Sequence, residues 1–236
     1  NFGDVTKFNC FKASCNVKGT YKNDISSESF SKTYDSETTD YKNSRGNSYS
    51  PQAKKVLQRY WRGNDFPIEL VNYLNNNNCL FAYQNNSADI RYDYQKNRAV
   101  FVIKNNRNEV IDAAGRALDN ASTPKWYRYG SSRMPYICGN TKCKHAVVVE
   151  DCASATAISH YVTGVALLGT HLTEEAEQIL CDKFDKVSVA LDKDATMKSI
   201  SLINKLKWNI NNVNVIVLER DLKIENNIKG VLKLDD

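Results

Sequence analysis

The sequence predicts an α/β protein, α+β overall: a C-terminal parallel sheet flanked by helices, preceded by a small mixed or antiparallel N-terminal subdomain. Three observations carry this. Four short aliphatic runs, Ala146 to Val149, Val165 to Leu168, Val187 to Leu191 and Val213 to Leu218, are too short for helices and too uniformly apolar for half-exposed strands, so they read as strands buried on both faces. Between them, Ser154 to Val162, Leu172 to Phe184 and Ala195 to Lys207 carry apolar residues at helical spacing, and such alternation means a parallel sheet with helices on its faces. Upstream, Phe81 to Gln84, Ile90 to Tyr94, Ala99 to Lys104 and Val110 to Ala117 alternate or run apolar between Asn and Asp clusters, as hairpin strands do, the clearest turn being Asn105-Asn106 to Asn108.

Length and composition set the bounds. At 236 residues and 42% hydrophobic, the chain holds one large or two small domains with a real core, and no run is long enough to cross a membrane. No signal peptide is visible, and Asn1 in place of Met predicts a fragment or a processed chain. A net charge of +5 permits an anionic partner without demanding one. Seven cysteines without the dense spacing of a small secreted scaffold point to reduced thiols and a cytoplasmic setting.

From the N-terminus, Cys10 and Cys15 form one C-x4-C pair and Cys138 and Cys143 another; together they would make one tetrahedral Zn²⁺ site if folding joined them. Cys79, Cys152 and Cys181 lie in apolar surroundings and read as core. Residues 20–50 are polar with almost no aliphatics, which predicts a flexible linker. Pro51 opens a helix through Val56, Leu57, Tyr60 and Trp61, and after a turn at Gly63-Asn64 a second short helix covers Ile68 to Leu74.

In a parallel sheet, whatever follows each strand gathers along one edge. Here acids follow: Glu150 and Asp151 after the first strand, Asp192 and Asp194 after the third, Glu219 and Asp221 after the fourth. Taken singly, such an acid merely caps the next helix, as Asp194 would before Ala195. Gathered from three strands, unpaired carboxylates repel unless a divalent cation sits among them, and Mg²⁺ prefers carboxylates, waters and substrate phosphates. A basic stretch, Gly115 to Arg133, precedes them. It interleaves Arg116, Lys125, Arg128 and Arg133 with Trp126, Tyr127 and Tyr129, a composition suited to phosphates and stacked bases, or to a solvated loop.

A strand ending in Glu, then about forty residues, then a strand ending in D-x-D resembles the Toprim domain of bacterial-type primases, topoisomerases and some nucleases. V-E-D-x-x-S-A (Val149 to Ala155), A-L-L-G-T (Ala166 to Thr170) and A-L-D-K-D-A (Ala190 to Ala195) are most similar to the primase half of phage primase-helicases, and G-R-x-L with P-K-W-Y resembles basic motifs of the same family. The resemblance spans roughly residues 98–222. It implies a C-terminal Toprim domain over 141–236, a basic N-terminal polymerase subdomain over 51–140, and in residues 1–19 the second half of a zinc ribbon, with Cys10 and Cys15 as its Zn²⁺ ligands.

By the same resemblance the chain is a DNA primase, a DNA-directed RNA polymerase making short primers from ribonucleoside triphosphates on single-stranded DNA during phage replication, with a replicative helicase as partner. Glu150, Asp192 and Asp194 would be catalytic and, with Asp221, hold Mg²⁺ or Mn²⁺; Arg116, Lys125 and Arg128 would face nucleotide phosphates and template. Glu150 is open to two roles, general base or metal ligand. Thr170 is a hydrogen-bond donor to phosphate or a packing residue. The chain departs from the pattern at Ser154, where bacterial primases have an acid, and at Asp221-Leu222-Lys223, where an acidic pair is usual. A metal-dependent Toprim nuclease and a catalytically silent nucleic-acid binding module are the alternatives. No GxxxxGK[ST] motif is present, so ATP-driven unwinding is not expected. His145, His160 and His171 show no triad spacing and read as structural or surface residues.

Overall fold

The structure, a computed structural model, describes residues 5–9, 18–22, 67–139 and 142–233. The chain divides into two units, Asn1–Thr39 and Asp40–Asp236. In the first, β1 (Val5–Asn9) pairs antiparallel with β2 (Lys18–Lys22), Val5 opposite Lys22. Regular structure thus enters the stretch predicted as linker, through the strand-favouring pair Thr20 and Tyr21. Cys10, Cys15, the rest of the linker and the helix expected from Pro51 lie outside the described residues.

The second unit opens with α1 (Ile68–Asn76) and α2 (Leu80–Gln84). The second was predicted as a strand. Four residues are too few for apolar alternation to separate the two periods, and Ala82 is the residue that α2 buries. Next come β3 (Ile90–Asp93), β4 (Arg98–Lys104), β5 (Val110–Ala117) and β6 (Trp126–Arg128), an antiparallel sheet in that order. The predicted turn closes β4 onto β5: the Asn105 amide donates to Glu109 O, the Asn108 amide donates to Asn105 O, and Asn108 adopts a positive φ of 62°. β6 shows that part of the basic stretch is strand, not loop.

A second sheet of five strands has the order β11-β10-β8-β9-β7, with β7 (Tyr136–Cys138), β8 (His145–Val149), β9 (Thr163–Ala166), β10 (Lys186–Val189) and β11 (Asn212–Val215). The last four are parallel as predicted; β7, which the sequence reading did not anticipate, runs antiparallel at one edge. Helices α3 (Cys152–Ala157), α4 (Glu174–Lys183) and α5 (Thr196–Leu206) fill the connections, and α6 (Ile228–Leu232) closes the described chain. None of the described helices is long and apolar enough to cross a membrane.

The strand alternation of β8 divides the core. Val147 and Val149 join Phe101, Ala114, Tyr136 and the helices α1 and α3 in one cluster, whereas Ala146 and Val148 join Leu180, Leu202 and Leu206 beneath α4 and α5 in another. The first cluster welds the two sheets together, with Phe101 edge-on to Tyr136 at 5.8 Å. β10 is buried on both faces over Val187 to Val189, as expected, but β11 is an edge strand with Val215 exposed, and Val217, beyond its end, is exposed too. Cys138 is buried in β7 with its thiol donating to Ser87 O, while the Cys143 thiol donates to His145 O.

Helix α3 lies so close to β9 that a Cβ at Gly164 would sit 2.2 Å from Ala155 O. Gly164→Ala is therefore expected to cost about 1–3 kcal/mol or more, because backbone must move to admit the methyl group. Urea unfolding measures it; a midpoint unchanged from the wild type would contradict this packing.

Candidate active site

Parallel strands deliver their following residues to one edge, and the structure brings the acids of three strands together there. Glu150 follows β8 and is half-buried; its Oε1 is buried without a hydrogen-bond partner. Burial pushes its carboxyl above the usual range, and the nearby charges of Asp192 and Asp194 push it further, opposed by the Asp192 backbone N–H and by Lys198. Asp192 is likewise raised, first by burial, then by Asp221, Asp151 and Asp194. The carboxylates thus feel one another. Among the described residues no three His, Cys, Asp or Glu side chains close into a metal-sized set.

Capping separates these acids into two kinds. Asp151 is the N-cap of α3: its Oδ1 accepts from the Ser154 amide at 2.8 Å, and its Oδ2 accepts from Lys223 Nζ at 2.7 Å. Neither Asp192 nor Asp194 caps anything. The turn Lys193–Ala195 begins after Asp192 without a side-chain cap, and α5 begins after Ala195 without one, so the capping role foreseen for Asp194 is not realised.

Lys223 is the charged residue at this edge that sequence reasoning missed. It bridges Asp151 and Asp221, 3.0 Å from Asp221 Oδ2. Burial alone would lower its pKa, but the two carboxylates outweigh that and raise it. Asp221 is thus compensated by a lysine two residues away, a spacing visible in D-L-K but not interpretable without the fold. Glu219 is exposed and makes no ion pair among the described residues.

The basic residues fall into three situations. Arg116 of β5 lies opposite Trp126 of β6, with its guanidinium 5.7 Å from the indole ring, on the sheet face that also carries Phe101 and Ala114. That face looks toward the parallel sheet. Tyr73 of α1 is a neighbour shared by Arg116 and the acid edge: burial, Cys79 and then Asp151 raise its phenol pKa, and Arg116 opposes them. Lys125 is exposed at the entry to β6, where its carbonyl accepts from Ala117 N and from Arg98. Arg128, expected on the nucleotide face, instead pairs with the fully buried Asp112 and donates to Ser132 O, which makes it a structural cation. Arg133 pairs with Glu175 on α4 at 3.3 Å.

The aromatic residues of the stretch are also engaged. Tyr129 is buried and donates to Asp93 at 2.6 Å, Lys96 caps the Tyr127 ring at 3.5 Å, and Trp126 leans on Phe101. They are walls of the sheet rather than open platforms for bases. Of the histidines, His145 shares a 2.8 Å hydrogen bond with Ser188, and burial, aided by Lys186, lowers its pKa to about 4. His160 and His171 are exposed.

The A-L-L-G-T loop bends back onto the acid edge. Leu168 and Gly169 take positive φ of 61° and 145°, and the Gly169 amide donates to Glu150 O at 3.2 Å. A bulky residue in that region is uncommon, and it is held here beside the cluster of charge.

A two-sheet α/β core with an acidic strand edge and a basic flank is the class these features define. No protein-family model and no curated protein matches the chain. Solved structures do. The Aquifex aeolicus primase, comprising zinc-binding and RNA polymerase domains, is 24% identical with a TM-score of 0.51, over 78% of this chain and 52% of that one. A DnaG primase catalytic domain bound to single-stranded DNA is 18% identical with a TM-score of 0.50, over 79% of this chain and 66% of that one. The primase fragment of the bacteriophage T7 primase-helicase is 14% identical with a TM-score of 0.44, over 64% of this chain and 66% of that one. This chain spans about half to two-thirds of the length of these structures. The fold is that of DnaG-type primase catalytic cores.

The raised carboxyls give a signed pH dependence. A folded-state pKa above the unfolded value means the native protein holds the proton longer, so stability falls as pH rises through the window above the usual carboxylate range and levels off beyond it. Glu150→Gln is expected to flatten that slope and to raise the melting temperature at pH 7 in EDTA. Thermal unfolding at a series of pH values reads both; a variant less stable than the wild type at pH 7 would contradict the repulsion.

Proposed function

We propose that this chain is the catalytic core of a DNA primase, joining ribonucleotides on a single-stranded DNA template by metal-dependent nucleotidyl transfer. The observation that carries the reading is the buried, unpartnered Oε1 of Glu150 beside Asp192, both carboxyls pushed up first by burial and then by neighbouring acids. The chemistry of the donors suits Mg²⁺ or Mn²⁺, which take hard carboxylate oxygens and complete their shell with water and substrate phosphates. Glu150, Asp192 and Asp194 would hold the cation, which when bound neutralises phosphate charge and lowers the pKa of an attacking hydroxyl. Arg116 and Lys125 bind and orient the phosphates of nucleotide or template, the positioning on which phosphoryl transfer chiefly depends. Arg128 supports them by holding β5 and β6 to the Ser132 turn through Asp112. A helicase partner and a zinc ribbon built on Cys10 and Cys15 belong to the same reading.

One observation favours a second reading. Lys223 already neutralises Asp151 and Asp221, which suits a nucleic-acid binding module without catalysis. The test supplies single-stranded DNA, labelled ribonucleotides and Mg²⁺ or Mn²⁺. Short RNA products are expected, and Asp192→Asn or Glu150→Gln should reduce synthesis at least 100-fold, on the order of one lost charge-stabilising contact in a transition state, while DNA binding stays within about twofold. Template cleavage without synthesis would establish a nuclease instead, and binding with neither activity would establish the silent module.

A further inference from the structure

Basic groups also gather on the opposite side of the acid edge, where the preceding reading assigns no role. A cavity of about 250 Å³ opens between the loop after β9 and helix α5, lined by Thr170, His171, Lys198, Ser201 and Lys205, with Leu172 and Leu202 as its floor. Leu172 and Leu202 belong to the core beneath α4 and α5, whereas the sheet face bearing Arg116 packs on the other core. The cavity therefore lies on the far side of the parallel sheet from Arg116, so the acid edge is flanked by cations on both sides.

Its chemistry is coherent. Lys198, Ser201 and Lys205 stand at i, i+3 and i+7 of α5, one face of a helix. The loop opposite brings the Thr170 hydroxyl and the His171 ring, fixed by the Gly169 amide on Glu150 O. Two ammonium groups, two hydroxyls and an imidazole around a small open hollow suit a tetrahedral oxyanion. Lys205 pairs with Glu177 at 2.5 Å, whereas Lys198 makes no ion pair among the described residues. Thr170 of the lining follows Gly169, whose amide donates to Glu150 O at 3.2 Å, which places the hollow beside the acid edge.

We infer that this cavity is a phosphate-binding subsite on the far side of the acid edge, with Lys198 as its principal cation and Thr170 and Ser201 as hydroxyl donors. It receives either the phosphate of a polynucleotide backbone or a free di- or triphosphate. The inference extends the primase reading to a second phosphate contact, yet its test needs no catalysis.

The full chain is titrated, in EDTA at low salt, with fluorescent single-stranded DNA or short RNA by anisotropy, and with ATP and inorganic pyrophosphate by calorimetry. Lys198→Ala is expected to weaken binding about tenfold, the loss of roughly one charge-assisted hydrogen bond, and Ser201→Ala less. Lys207→Ala, an exposed lysine outside the cavity, serves as the control. Weakening of the oligonucleotide arm alone assigns the site to a strand backbone; weakening of the ATP and pyrophosphate arm assigns it to free phosphates. Equal losses in Lys198→Ala and Lys207→Ala, or no loss with any probe, would overturn the subsite. Repeating the titration in Asp192→Asn separates the two ideas, because that variant removes synthesis and leaves this binding in place.

Discussion

Uncompensated negative charge at the carboxyl edge of the parallel sheet is the constraint on which the site depends. Glu150 and Asp192 leave strands that are paired to the same neighbour set, β8 beside β10, so the hydrogen-bond ladder that joins those strands also forces their terminal carboxylates together. Both carboxyls lie above their ordinary range for that reason, first through burial and then through each other's charge or that of further acids. A fold that merely needed stability would have placed apolar or capping residues there, as it does with Asp151 at the head of α3.

The second determinant is the shared core between the sheets. Residues of β8 alternate between two clusters, so one set of valines packs against the antiparallel sheet and the other beneath α4 and α5. The antiparallel sheet then presents Arg116 on its inner face, steadied by Trp126, which is in turn backed by Phe101. An arginine fixed over an aromatic ring has lost little freedom when a phosphate arrives, so less entropy opposes binding than for a solvated side chain.

Much of this was legible in the residues. The uninterrupted apolar runs at Ala146 to Val149 and Val187 to Val189 could only be buried strands, and the acids behind them announced the edge. The exposure of Val215 was not legible, because a strand's own composition does not say that it will have one neighbour rather than two. Phe81 to Gln84 misled because a short apolar run has no definite period. Arg128 looked identical to Arg116 in the chain; what separates them is a buried Asp112 sixteen residues away and one strand over. Tyr127 and Tyr129 read as stacking platforms, but Lys96 and Asp93 occupy them from a hairpin about thirty residues upstream. Apart from that short run, these failures concern partners distant in sequence, which local pattern does not encode.

Lys223 explains how a strand ending with a lone Asp221 fits an acidic site. Were Asp221 uncompensated, it would add a further carboxylate to a cluster already short of positive charge. The ammonium group held between Asp151 and Asp221 supplies that charge from within the chain, and the paired carboxylates in turn keep it ionised. What remains least balanced is Glu150, opposed by the exposed Lys198 and the Asp192 backbone N–H, with Asp192, which Lys223 offsets only in part. The lysine therefore does not fill the site. It concentrates the remaining demand for positive charge on the carboxylates nearest the A-L-L-G-T loop.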